Sequence, residues 1–473
     1  MILTILLICF IIAFKHREIL LRIYKLNRSA QKIMTEIPSL PSIPLLGSTY
    51  LFKWSVKGMT YQMEEWGRKL MMEDPEGSGG LLGIWVGPIP VIVAGLHESI
   101  QPILESSVQI TKPSQYDILQ RWLGEGLAIK TGERWHSRRK LLTPAFHFNI
   151  LKSYIPVFGE QGEILCSILN EHADTDTIVD VFPLLKRCGV DIITETAMGV
   201  RLGTQTNEES SYIRAIYRLS QIAWDHQRFP WLWLKPLWFL SGYANEFNYH
   251  QKLALDFTRN VIAQRREILE EEGLLDHDVT EAQKLALLDL LLMMQKANAL
   301  TDEDLRSEVD TFMFEGSDTN SSNMGFCLWW IGQMPEVQAR VHAEVDEVFG
   351  SSDRAPTEED LCRLSYIERC VKESLRMMSP VPMIARRMVE DMRIGSHVIP
   401  EGITILITPP AAHHDPRVCL SSQKFAMMEA KSIIAQIFRK FRVETIDCHP
   451  ENRPLPEIIL KPSNGFRVRL YRR

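Results

Sequence analysis

The 473-residue chain has no CxxC pair, no surplus of positive charge, no internal repeat and no low-complexity tract. Its eight cysteines (Cys9, Cys166, Cys188, Cys327, Cys362, Cys370, Cys419 and Cys448) lie far apart. That scatter excludes a dense disulfide framework and fits reduced thiols, one or two of them free for chemistry. A formal net charge of -6 excludes nucleic-acid binding driven by bulk electrostatics. No uncharged apolar run reaches the ~20 residues that cross a bilayer unaided. What remains is a composition that is 45% hydrophobic and 24% charged, enough for a large buried core.

The longest apolar run opens the chain. MILTILLICFIIAF (Met1 to Phe14) is broken only by Thr4, and Lys15, His16, Arg17, Arg22, Lys25 and Arg28 follow it. Leu20, Leu21 and Ile23 extend the run if Lys15 and Arg17 snorkel to the interface. A cleaved signal peptide is the alternative, but the basic residues follow the run and no A-x-A-like site appears. The reading is a membrane anchor over 1–24, with the bulk of the chain on the cytosolic side. A basic and proline-rich linker over 25–50 comes next. In 37-IPSLPSIPLLGS-48 the prolines recur every three residues, which predicts a stiff extended strap.

From there to the C-terminus the chain reads as one body, 51–473. The stretch 81-LLGIWVGPIPVIVAG-95 predicts a β-hairpin turning at Gly87-Pro88. Amphipathic helical periodicity follows near 159–171, 206–225, 246–273, 282–297, 302–332, 335–349 and 358–378. Short β-like pieces return at 392–408 and 458–471, and a last helix runs from about Phe425 to Phe441. The fold class is mainly α with small β-sheets.

Three stretches carry chemistry. In 301-TDEDLRSEVDTFMFEGSDTNSSNMGFCLWWIG-332, Thr301 and Asp304 fit a capping box. An apolar stripe then runs into Glu315, Gly316, Ser317, Asp318, Thr319, Asn320, Ser321 and Ser322. Such side chains compete with backbone bonding, so a local opening of the helix at a ligand is expected, with a helix end and loop as the alternative. In 372-KESLRMMSPVPMIARRM-388, Glu373 and Arg376 are neighbours on a helix that Pro380 must end. In 135-WHSRRKLLTPAF-146, Trp135 and Arg139 share a face and together fit a buried carboxylate; a basic surface helix is the bland reading.

In this order and spacing the three resemble the cytochrome P450 superfamily, membrane-bound haem-thiolate monooxygenases. FMFEGSDT resembles the FMFEGHDT-type signature of family four, with its fatty-acid ω-hydroxylases and many insect enzymes. The anchor, the proline strap, IARR, IPEGITILI, AHHDPRV and QKFAMMEAKSIIAQIF extend the likeness over nearly the whole chain. The resemblance implies the P450 fold and haem b, and hydroxylation of lipophilic, fatty-acid-like or xenobiotic substrates by O₂. Electrons would come from NADPH-dependent cytochrome P450 reductase at the endoplasmic reticulum membrane, among membrane lipid. It implies that Trp135, Arg139 and Arg386 contact haem propionates and that Glu373 and Arg376 form a buried pair behind the haem. Thr319 with Asp318 would deliver protons, and Glu315 stands where many members ester-link the haem. Ser317 replaces the usual His and Asn320 the usual second Thr. The general chemistry agrees: C–H oxygenation needs a cofactor, and a thiolate opposite the oxygen favours O–O cleavage.

The family's axial-cysteine loop, F-x-x-G-x-R-x-C-x-G, is missing. From Val418 the chain passes directly to Cys-Leu-Ser-Ser-Gln, leaving the body incomplete around 417–423. By family comparison the interval from Glu373 to Cys419 is roughly thirty residues short, about one long loop. Cys419 lies near a helix start, where thiolates form readily. Its register is one residue off, which rotates a helical side chain by about 100°, and the family's glycine is replaced by serine. Cys419 is either the metal ligand or a leftover thiol beside a deletion. In the second case the chain is a catalytically inactive truncated or splice variant.

Overall fold

A computed structural model describes residues 17–69, 75–146, 148–207, 210–274, 286–414 and 424–473. The chain divides into two compact units, Met1–Ser114 with Met383–Val418 and Gln115–Pro382 with Cys419–Arg473.

The first unit is organised by a four-stranded sheet. β1 (Leu81–Val86) and β2 (Ile89–Ala94) form the expected hairpin, with Leu81 opposite Ala94 and Val86 opposite Ile89. Gly87 turns it with a φ of +58°, which a residue without Cβ adopts freely. β3 (Ile384–Arg387) and β4 (Thr404–Ile407) complete the order β1-β2-β4-β3, with only the β2–β4 pair parallel. α1 (Arg17–Glu36) places Ala30, Ile33 and Met34 against Leu81 and Ile92. Part of the stretch read as linker is therefore helix, because its apolar residues recur at three and four and find a sheet to cover. The strap begins only after Glu36. Gly83 donates to the Pro38 carbonyl and Leu40 donates back to Gly83, so the strap is extended and lies along β1. A side chain at Gly83 would meet Ser39 Oγ at 2.1 Å. Among the described residues no helix is long and apolar enough to cross a membrane. The run Met1–Phe14 lies outside them.

The second unit is helical, built from α2 (Gly132–Leu142), α3 (Ile155–Asn170), α4 (Phe182–Thr196), α5 (Ser211–Arg228), α6 (Lys235–Leu240), α7 (Tyr243–Glu271), α8 (Asp302–Gln333), α9 (Ser365–Met377) and α10 (Lys424–Lys440). At 1.5 Å per residue, α8 is about 48 Å long and forms the axis. Helices α4, α9 and α10 pack on it and share a core that includes Ile192, Phe326, Leu328, Val371, Ile433 and Ile437. A second core joins α5, α7 and the start of α8 through Leu219, Phe247, Val261, Leu305 and Val309. The run 358–378, expected as one helix, is two: Glu358–Arg363, then α9 after a break at Leu364. The break is stabilised from outside, since Glu344 accepts from the backbone N–H groups of Tyr366 and Ile367 at 2.6 and 2.8 Å. Architecture and class are those expected, mainly α with small sheets.

Candidate functional site

The polar stretch of α8 does not open. The helix is continuous through all 32 residues, and its start is the expected capping box, with Asp304 N–H donating to Thr301 Oγ1 at 3.1 Å. The expectation of a break fails because the hydroxyls bond to the helix's own carbonyls. Ser317 donates to Met313 at 2.7 Å, Thr319 to Glu315 at 2.7 Å and Ser321 to Ser317 at 2.6 Å. Ser322 reaches across to the Leu460 carbonyl at 2.6 Å. Small residues also let α4 approach closely: a Cβ on Gly316 would meet Ile193 Cδ1 at 2.6 Å, and one on Gly189 would meet Ser321 Oγ at 2.7 Å.

The stretch divides between two faces. Phe312, Glu315, Gly316 and Thr319 recur at three and four, with Glu315 exposed and the others half-buried. Asp318 points the other way. Its carboxylate lies 2.7 Å from Lys186 Nζ of α4, with both side chains 7% exposed, and the ammonium sits 5.7 Å from the rings of Phe182 and Tyr217. Asp318 and Thr319, assigned jointly to proton delivery, are thus on different faces. Asn320 faces the interior near Glu429 of α10. Burial pushes the Glu429 carboxyl up to about 8, and the Asn320 amide pulls the other way.

On α2, Trp135 is half-buried and Arg139 exposed, while Arg138 turns inward. Its guanidinium meets Asp304 at 2.6 Å and Glu308 at 3.4 Å, and Lys130 meets Asp304 at 2.8 Å. Burial opposes ionisation of Asp304. Bonds from Lys130 and Thr301, with the charge of Arg138, nonetheless hold its carboxyl well below the usual carboxylate range. Burial pushes Glu308 up, against the Leu127 N–H and the same cations. A cavity of about 750 Å³ adjoins this cluster, lined in part by Lys130, Arg134, Arg138, Asp304 and Ser307. Neither the cluster nor Lys186–Asp318 was found from sequence. Lone charged residues on separate helices carry no pattern that marks them as partners.

Glu373 and Arg376 do pair, through bonds of 2.7 and 2.9 Å. The expected burial is corrected, however: their side chains are 61% and 28% exposed. The buried positions of α9 are Ile367, Val371 and Ser374, and Glu373 lies off that stripe. Arg386 belongs to β3 in the first unit, where it is half-buried and donates to the Ala385 carbonyl at 2.9 Å.

The chemistry of the donor set tests whether haem fits. Trp135 and Arg139 carry an indole N–H and a guanidinium, groups that pair with anions. Four of the described thiols do not suit iron. Cys166 and Cys188 sit in the interior, where burial pushes the first up to about 12 and the second well above the usual thiol range. Cys327 is likewise raised by burial, and Cys370 reaches about 11 for the same reason. Among the described residues no group of His, Cys, Asp or Glu can hold a metal. Cys419 lies outside the described residues. On what is described the fit is incomplete: polar groups are present, and none of these four thiols is suited to supply the thiolate.

The chain is similar to several known proteins. A family model described as Cytochrome P450 matches residues 38–419. Cytochrome P450 4V2 of Pongo abelii is 37% identical, over 93% of this chain and 90% of the relative. Cytochrome P450 4V2 of Homo sapiens is 38% identical, over 83% and 82%. Cytochrome P450 4c3 of Drosophila melanogaster is 34% identical, over 96% and 92%. The alignment to the first relative runs to 489 positions, more than the 473 residues of this chain, so that relative carries residues absent here.

Proposed function

This chain belongs to the cytochrome P450 family, among relatives of its family-four members, and on that footing we propose a microsomal haem-thiolate oxygenase acting on lipophilic substrates. By family it is a monooxygenase that takes haem, O₂ and electrons from a redox partner. The finer reading is that the substrate is fatty-acid-like or xenobiotic and that the donor is the NADPH-dependent reductase. The body, 51–473, would work from the cytosolic side of the endoplasmic reticulum membrane, tethered by 1–24. The observation that carries the reading is the face of α8 on which Glu315 and Thr319 stand together, accessible, while its polar neighbours are spent on packing.

Haem, when bound, would supply the oxygen activation that no side chain performs. Arg139 and Trp135 would hold its propionates, with Arg386 as a further cation, and Glu315 would be its point of covalent attachment. Glu373–Arg376 would support the proximal side. Thr319 holds its hydroxyl proton on the Glu315 carbonyl and must swing away to offer it elsewhere. Asp318, the other residue proposed for proton delivery, would have to act from the face toward α4, where Lys186 balances its charge. The thiolate would come from Cys419.

A second reading has its own support. The buried thiols Cys166, Cys188 and Cys327 are poor iron ligands, the first relative carries additional residues, and the family match ends at residue 419. On that reading the chain is a variant without the ligand loop, unable to activate oxygen. One spectrum separates the two. The purified chain, reduced under carbon monoxide, shows a thiolate-type Soret band if Cys419 binds iron. No such band, or one of the type given by other ligands, leaves the inactive variant.

A further inference from the structure

The cavity beside Arg138 does not belong to the face of α2 assigned to haem. On α2 it takes in Arg134, Ser137, Arg138 and Leu141, spaced at three and four, and leaves out Trp135 and Arg139. On α8 it reaches Glu303, Asp304 and Ser307. Ser307 and Glu315 are two turns apart, about 12 Å along the axis. At about 750 Å³ the cavity has the size of a small-molecule site. The loop beside it is held tightly on α8. A Cβ on Gly124 would meet Ser307 Oγ at 2.2 Å, and one on Gly126 would meet Thr311 Oγ1 at 2.2 Å. Leu127 N–H donates to Glu308 at 3.0 Å, fixing the same loop.

The buried lining is cationic. Lys130 and Arg138 both border the cavity, each side chain only 8% exposed. Asp304 is already claimed by both of them and by the Thr301 hydroxyl, which donates at 2.8 Å. Glu308 lies 3.4 Å from Arg138 Nε, too far for a strong hydrogen bond. Arg138 Nη1, also buried, has no acceptor. A buried guanidinium N–H without an acceptor is costly, and it asks for an oxygen that the chain does not supply. Leu141, Ala299 and Leu300 add an apolar wall. Of the other lining acids, Glu125 meets Arg134 at 3.5 Å and Glu303 pairs with Arg306. Glu133 is exposed, where water and salt screen it.

We propose that this cavity is a second ligand site, apart from the haem, for a small organic anion whose carboxylate or phosphate oxygens accept from Arg138. Arginine suits either head group because its planar fork presents several donors at once. An uncharged body on that head group would lie against Leu141 and Leu300. Lys130 adds a second positive charge, and the tightly held loop keeps the walls in place before a ligand arrives. The site uses none of the residues assigned to haem, so it stands or falls apart from the function proposed above.

Calorimetric titration of the full-length chain with phenyl phosphate, benzoate and benzamide tests it. The two anions carry the required oxygens, and the tighter of them identifies the head group; benzamide keeps the ring without the charge. The better anion should bind at least about tenfold more tightly than benzamide. Hydrogen–deuterium exchange locates the event: that anion should slow exchange about tenfold in peptides covering 132–142 and 299–307. Arg138→Met should weaken the anion about tenfold and leave benzamide unchanged. Should that variant not fold, Ser137→Trp, at an exposed lining position, fills the cavity and should abolish anion binding. Equal affinity for anion and benzamide overturns the proposal, as does no binding or binding that survives Ser137→Trp. Protection confined to peptides around Glu315 and Thr319 overturns it too, since the anion would then sit at the face assigned to haem.

Discussion

Two faces of one helix, α8, carry similar residues to different ends. Facing α4, Ser317, Asp318 and Ser321 bond to backbone carbonyls or to Lys186, and glycines on both helices bring the axes together. A hundred degrees round, Glu315 and Thr319 remain accessible. The contrast teaches that polar residues in a buried helix are poor evidence for a ligand until their faces are separated. A hydroxyl that folds back on the carbonyl four residues earlier removes its own cost, and a carboxylate that finds an ammonium does the same.

That claim is broken most directly at Lys186. If the inner face is dry and paired, Lys186→Met strands the Asp318 carboxylate among apolar neighbours and costs about 3–5 kcal/mol in urea unfolding. The double variant Lys186→Met with Asp318→Leu should recover most of the loss, since the stranded charge and not the missing contact is the source. A loss below about 1 kcal/mol for the single variant would mean that water reaches the pair, as at a surface ion pair.

The same separation explains what was legible in the sequence. The β-hairpin around Gly87, the capping box at Thr301 and the long helices were readable because each rests on local spacing or on a residue with few alternatives. The helix over Arg17–Glu36 was passed over because its basic residues masked the Ala30, Ile33 and Met34 stripe. The polar stretch of α8 was read as an opening because propensity prices side chains without knowing their partners. Those partners, Leu460 for Ser322 and Lys186 for Asp318, are more than 130 residues away. Family motifs located Trp135, Arg139, Thr319 and Glu373 but could not say which way each side chain turns.

Glu429 sharpens the comparison from the third side of α8. Burial raises its carboxyl to about 8 from an ordinary 4.5, so the folded chain holds a proton that the unfolded chain gives up sooner. Stability is therefore full below pH 4.5 and declines as pH rises toward 8. From pH 6 to 7.5 the decline should be about 2 kcal/mol at 1.4 kcal/mol per unit. Glu429→Gln, neutral at every pH, should flatten that part of the stability profile. A wild-type profile already flat there would place a proton-independent partner beside Glu429 and make this face resemble the Lys186 side.

The smallest effect is expected at Glu373, and its smallness is informative. The family resemblance puts this carboxylate in a buried pair, whose disruption would cost about 3–5 kcal/mol. Here Glu373 is 61% exposed and pairs with Arg376 one helical turn along α9. Such a pair contributes about 0.2–0.5 kcal/mol, so Glu373→Gln should barely move the urea midpoint. The difference follows from position on the helix: the buried stripe of α9 is Ile367, Val371 and Ser374, and Glu373 lies off it. A measured cost of several kcal/mol would show that further groups do close over the pair in solution. It would then align Glu373 with Asp318 as a dry, paired charge and leave Glu315 and Thr319 as the accessible polar pair that sets the outer face of α8 apart.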